Sequence, residues 1–377
     1  MSDTSENKNT KTARDSNIEL LRIITMLGVI ILHYNNRTIG RAMDFVTHGS
    51  VNFYILSILE SVFICAVDLF ILICGYFMIK TQKRSIIKPI KLIVQLIVFQ
   101  VGRYLFPVIF GNSTFAIGNM IIKLVPRNYF VILYIALYFI SPYINIVMTS
   151  LDKKQLQRFV LTFFLIFSVY SVLTDIMGHI RGGTVMELST IGMYGSQDGY
   201  TIVNFSLMYI IGAYIKLNED RFRKIKQTKL VLAFSILVLL DVIQEMIRDG
   251  LKISKGSAYS YLNPIVILCA VIAFLIFKNL ELGHVSIING LAKGSFTVFL
   301  LHTMFIKQIG IKRFVTGNPL IMVIHIIGSS ILVYLICWVV YFVYEKITAP
   351  IFKLIVSKFG QGNYSIEINS DNKTLNV

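Results

Sequence analysis

Apolar runs of about 18 residues or more recur along this chain, and a run of that length matches the hydrocarbon thickness of a bilayer. Lipid offers backbone N–H and C=O groups no partner, so a spanning segment must be a helix or part of a closed barrel. The runs here are continuous rather than alternating, which selects helices. With 55% hydrophobic and only 15% charged residues, the chain is too apolar for a soluble domain of 377 residues. The expected fold class is all-α, a polytopic integral membrane bundle of about ten transmembrane helices. The expected spans are 16–34, 55–79, 90–110, 129–149, 158–175, 201–217, 229–247, 261–278, 294–311 and 321–344.

The formal net charge of +16 does not point to nucleic acid, because the basic residues sit between apolar runs rather than on one soluble domain. They read as topology signals. With the N-terminus inside, inner segments hold roughly 23 Lys or Arg against roughly 11 outside, the bias of the positive-inside rule. This orientation predicts a multi-pass protein of the cell membrane with both termini cytoplasmic. Residues 1–15 are polar and read as a disordered cytoplasmic tail. Residues 16–350 form the transmembrane domain, and 351–377 a cytoplasmic C-terminal tail. The first apolar run has no short h-region with a cleavage site, so it reads as a retained helix. Two longer outer loops, 111–128 and 176–200, have room to contact a ligand.

Cys65, Cys74, Cys269 and Cys337 all lie in apolar runs without a CxxC spacing, so they read as packing residues. The six histidines are scattered, and no metal-ligand spacing, P-loop or GxSxG elbow occurs. No metal is expected.

The sharpest signal is in the first run, Asn17-Ile-Glu19-Leu-Leu-Arg22, continuing to His33-Tyr34. Ionisable groups inside a span are costly and mark functional sites by default. Arg22 and His33 are eleven residues apart, close to three whole turns, so they share one helix face about 16 Å apart along the axis. Glu19 precedes Arg22 by three residues, a neighbour position from which a carboxylate holds a guanidinium. The bland alternative has Arg22 snorkelling to the interface and His33 at headgroup level.

Glu19-Leu-Leu-Arg22, ten residues and His33 resemble the signature of the membrane acyltransferase-3 family. Further segments are similar to that family in the same order. They are Val67-Asp68-Leu69-Phe70 through Gly75-Tyr76-Phe77, Tyr138 through Asn145, Ser295-Phe-Thr-Val-Phe-Leu-Leu-His302, and Tyr344-Glu345-Lys346 with Pro350. Cys74 stands where the family usually has serine. The family's R-x-R pair after the second helix is replaced by Lys83-Arg84-Ser-Ile-Ile-Lys88-Pro-Ile-Lys91, which keeps the charge but not the spacing.

The resemblance implies transfer of an acetyl or other acyl group from cytoplasmic acyl-CoA, acetyl-CoA by default, to a hydroxyl of a cell-surface or lipid-linked glycan. His33 is the candidate general base, since imidazole titrates near working pH. Arg22 would bind the CoA side or stabilise developing charge. Arg84, Lys88 and Lys91 suit CoA phosphates, although positive-inside topology alone also accounts for them. Asp68 would orient His33 or pair with a basic residue, with a plain structural ion pair or helix packing as the alternative. His302 and Ser295, seven residues apart, share a face and are supporting candidates. Gly75 fits a close helix contact, and Tyr129 suits sugar stacking or an interfacial belt. Asp241 and Glu245, spaced i, i+4, read as headgroup-level residues. The reading from another class is a transporter or flippase for a glycan or lipid, without covalent chemistry.

Overall fold

The computed structural model describes residues 15–180, 189–251, 258–360 and 362–364. The expected N-terminal tail, apart from Asp15, and the end of the C-terminal tail lie outside the described residues.

Every apolar run folds as helix. In chain order the main elements are α1 (Ser16–Asn35), α2 (Val51–Phe63), α3 (Ala66–Met78), α4 (Ile87–Ile109), α5 (Tyr129–Ser150), α6 (Lys153–Phe164) and α7 (Ser171–Ile180). They continue as α8 (Ile202–Leu217), α9 (Gln227–Gly250), α10 (Pro264–Lys278), α11 (Ser295–Ile306) and α12 (Pro319–Phe359). Seven stretches are long and apolar enough to cross a membrane: α1, α2 with α3, α4, α5, Lys153–Gly178, α9 and α12. Three further apolar helices, α8, α10 and α11, are shorter, at 16, 15 and 12 residues. A helix of 12 residues is only about 18 Å long, less than the hydrocarbon core. The protein is thus a polytopic helical membrane bundle.

Three departures from the expected spans have local causes. The second span is two helices with a break at Ile64–Cys65. The fifth carries a π-helical turn at Leu165–Tyr170, where the Ser168 hydroxyl donates 2.6 Å to the Leu262 carbonyl. α12 runs on to Phe359, well past 344, as its apolar pattern gives way to a stretch with Lys353 and Lys358.

Two glycines set the tightest crossing. A Cβ on Gly75 of α3 would lie 2.1 Å from the Tyr209 carbonyl oxygen of α8, and one on Gly212 would lie 2.1 Å from the Leu72 carbonyl oxygen. Only glycine lets the two backbones approach this closely, as the sequence predicts for Gly75.

The segment after α3 is pinned by the Tyr138–Asn145 motif of α5. Asn145 donates to the carbonyls of Met78 (2.8 Å) and Thr81 (3.1 Å) and accepts from the Tyr209 hydroxyl (2.7 Å). The Tyr138 hydroxyl accepts from the Ser85 N–H at 2.9 Å. Arg84 and Ser85 form β1, which pairs antiparallel with β2 (Asn363–Tyr364), so the chain returns here after α12.

Candidate active site

Five helices run past two cavities. The larger, about 440 Å³, is lined by Arg22 of α1, Phe70 and Cys74 of α3, Leu92 of α4, Phe130 and Tyr134 of α5, and Ser295 and Phe299 of α11, with Lys293 beside them. The smaller, about 240 Å³, lies further along the same helices. It takes His33 from α1, Val67 from α3, Arg103 from α4, Tyr129 from α5 and His302 from α11, and adds Glu60, Tyr200 and Tyr261.

Phe299 lines both cavities and forms the partition between them. Its ring centroid is 5.0 Å from that of Phe130, and Phe130 packs at 6.4 Å on Phe70. On the other side Phe299 faces the His302 ring at 6.3 Å.

Arg22 and His33 therefore share one helix but serve different cavities. Arg22 is one-third exposed and pairs with Glu19 at 3.2 Å, the i, i+3 contact read from the sequence. Glu19 itself is buried.

His33 meets His302 edge-on, with ring centroids 4.7 Å apart. Each Nδ1 lies on a carbonyl four residues back in its own helix: His33 on Val29 at 2.8 Å, His302 on Val298 at 2.9 Å. A carbonyl only accepts, so both Nδ1 atoms carry the hydrogen. In the neutral ring each Nε2 is then left with a lone pair. The His302 Nε2 is buried and has no hydrogen-bond partner among the described residues. Two imidazoles thus share one small polar pocket.

The other candidates are distributed differently. Ser295 lies with Arg22, not with His302, and contacts the Tyr334 hydroxyl at 3.2 Å. Asp68 is buried and accepts from Asn204 at 3.0 Å; its other oxygen has no partner among the described residues. It reaches neither His33 nor a basic residue, because its side chain faces the α3–α8 contact.

Arg84 is buried and fully engaged. Its guanidinium donates to the Ser141 hydroxyl at 2.9 and 3.2 Å and to the carbonyls of Thr81 and Lys83, and it stacks on Tyr138. It lines neither cavity and acts as the pin between β1 and α5. Lys88 is exposed one turn before Leu92 of the Arg22 cavity. Lys91 is also exposed and lies over the Phe352 ring at 4.9 Å.

Several lining residues were not singled out from sequence. Glu60 accepts from Asn35 at 2.9 Å at the edge of the His33 pocket. An acid inside an apolar run is a readable signal, and Glu60 satisfies it. Tyr129, Tyr200 and Tyr261 form a contiguous wall, with ring centroids 4.6 and 5.0 Å apart. The two tyrosines beyond Tyr129 come from distant segments and left no local pattern. Asp241, expected at headgroup level, is buried on the face of α9 that packs against α2, whereas Glu245 pairs with Arg248.

A further cleft of about 460 Å³ opens beside the start of α1, lined by Tyr76, Glu219 and Lys278. Its charges are already matched: Glu219 binds Lys216 and Tyr76, and Lys278 reaches Asp15 and Glu219. It contains neither of the two histidines.

A family model described as an acyltransferase domain, Acyl_transf_3, matches residues 15–342. No curated protein and no solved structure matches the chain. The match covers most of the sequence, including both cavities, and does not favour a transporter without covalent chemistry. This chain is a multi-pass membrane acyltransferase and belongs to the membrane acyltransferase-3 family.

Proposed function

We propose that this acyltransferase moves an acetyl group from cytoplasmic acetyl-CoA to a hydroxyl of a cell-surface or lipid-linked polysaccharide, with His33 as general base. The observation that carries the reading is the meeting, at Phe299, of a cavity bearing Arg22 and Lys293 and a pocket bearing two histidines along the same helices.

The N-terminus is cytoplasmic in this reading, as the basic inner segments favour. The Arg22 cavity then faces the cytoplasm. Arg22 and Lys293 offer cations to the donor's phosphates, while Phe70, Phe130 and Phe296 offer an apolar wall to its pantetheine arm. The thioester reaches the His33 pocket past Phe299. There the tyrosine wall suits the faces of a sugar ring, and Asn128 and Glu60 suit its hydroxyls.

The chemistry is one acyl exchange. The acceptor oxygen attacks the thioester carbonyl carbon as its proton passes to Nε2 of His33. The carbon–sulfur bond then breaks, and the thiolate leaves with the proton that His33 returns. The Val29 carbonyl fixes the tautomer and supports the imidazolium that forms in between. His302 adds a second acceptor nitrogen, to hold either the acceptor hydroxyl or protonated His33.

The test is the O-acetyl content of the surface glycan in cells expressing wild type or His33→Ala at equal protein levels. Acetylation that depends on the wild type and is lost in the variant supports the proposal. Normal acetylation by the variant removes His33 from the chemistry. A wild type that adds no acyl group to any glycan, and neither hydrolyses nor transfers acyl-CoA when purified, overturns the reaction itself.

A further inference from the structure

Next to the His33 pocket lies a cleft of about 410 Å³. It is built from Gln100, Arg103, Tyr104 and Pro107 of α4 and from Ser113, Ile122, Lys123, Val125 and Arg127 of the following segment. Three of these residues are cationic and none is acidic. None of the three forms an ion pair with any described residue. Arg103 makes one long contact to the Leu300 carbonyl, at 3.4 Å.

The cleft is held in shape by α4. Gln100 donates to the carbonyls of Lys123 (3.2 Å) and Val125 (3.1 Å) and accepts from the Arg127 N–H (2.9 Å). One turn on, the Tyr104 hydroxyl donates to the Ala116 carbonyl (3.0 Å) and accepts from the Ala116 N–H (2.7 Å). The loop is strapped to the helix at both ends, and Lys123 and Arg127 line the same cleft as Arg103, with Arg103 and Arg127 exposed to it. Three cations lining one cleft with no acidic residue among them give it a positive potential, which is suited to an anion.

Arg103 also lines the His33 pocket, so the two spaces are neighbours that share one side chain. We infer that the cleft of Arg103, Lys123 and Arg127 binds an anionic group, a phosphate or carboxylate, carried by the acceptor glycan a short distance from the hydroxyl that is acylated. The guanidinium fork matches either oxyanion. This assignment rests on the acceptor reading of the His33 pocket. A bilayer phospholipid headgroup offers the same oxyanion, but the shared Arg103 wall beside the His33 pocket favours the glycan.

The test is calorimetric binding to the full-length chain in neutral detergent. The probes are a glycerol-phosphate oligomer, an oligogalacturonate and a neutral malto-oligosaccharide. The wild type is compared with Lys123→Gln/Arg127→Gln and with the charge-conserving Arg127→Lys. At least one anionic probe should bind the wild type tenfold or more tighter than the neutral one. Binding should weaken as salt rises, fall about tenfold in the double variant and persist in Arg127→Lys, which excludes misfolding as the cause.

Equal binding of the neutral probe, or unchanged binding in the double variant, overturns the inference. So does a double variant that differs only in its retention of anionic phospholipid in nanodiscs, which would assign the cleft to lipid. Anionic glycan that binds as described but is never acylated leaves this site standing and sinks the proposed reaction instead.

Discussion

The Arg22 cavity and the His33 pocket are lined by the same five helices, yet they differ in size and in the groups they present. The first is the larger and is walled by phenylalanines, with Arg22 and Lys293 among them. The second is about half the size and gathers two histidines, three tyrosines, Glu60 and Arg103. Arg22 is held by a carboxylate, whereas both histidines are held by carbonyls of their own helices. A permanent charge suits binding of an anion, and a neutral lone pair suits taking a proton. In the proposed reaction one helix thus presents a binding group and a reacting group three turns apart, with Phe299 between them.

The largest effect expected from breaking this division is at His33. His33→Ala removes the proposed base and should lower transfer by about 10²- to 10⁴-fold, the range for a positioned general base. Donor binding should survive, because the Arg22 cavity is untouched. A matching loss of acyl-CoA binding in the variant would show that the two spaces act as one.

Arg22→Ala should act the opposite way, raising KM for the donor with less change in kcat. A hydrogen bond to a charged group contributes about 1.5–3 kcal/mol, which corresponds to about ten- to a hundredfold. Arg22→Lys should recover part of this, since the charge returns without the fork. A fall in kcat at constant KM would move Arg22 to the reacting centre.

Phe299 is where the comparison is sharpened. Phe299→Leu and Phe299→Ala should widen the passage and raise the use of butyryl-CoA relative to acetyl-CoA by about tenfold, the scale of methylene discrimination in an apolar pocket. Cys74 provides a second reading, because it lines the Arg22 cavity while the other three cysteines are buried. A membrane-impermeant thiol reagent applied from the His33 side should label Cys74 faster once Phe299 is shortened. An unchanged acyl preference together with unchanged labelling would mean that Phe299 is not the barrier.

The fold was largely legible because lipid leaves a spanning chain so few options. Continuous apolar runs became helices, and the eleven-residue spacing of Arg22 and His33 put them on one helix face along the two cavities. The missed features depend on distance in sequence or on neutral packing. Phe299 is one of 27 phenylalanines, and nothing local separates it from lipid-facing ones. Tyr200 and Tyr261 meet Tyr129 only in the folded bundle. Arg84 read as a candidate for CoA phosphates because its partners, Ser141 and the carbonyls of Thr81 and Lys83, are recognised only once α5 packs against the turn. Helix ends were the least legible, as at α12, where helical propensity carries the chain on after the apolar run has ended.

Lys88 and Lys91 test how far the donor side extends. Both are exposed at the head of α4 and line neither cavity, but Lys88 is one turn from Leu92, which does. Charges placed this way act at a distance, by raising the local concentration of a polyanionic donor. Lys88→Gln/Lys91→Gln should therefore lower kcat/KM for acetyl-CoA by only about two- to threefold at low salt. The difference should vanish near 0.5 M salt, where the Debye length falls to about 4 Å. A loss as large as that of Arg22→Ala, persisting at high salt, would place direct phosphate contacts at the head of α4 and extend the donor site beyond the Arg22 cavity.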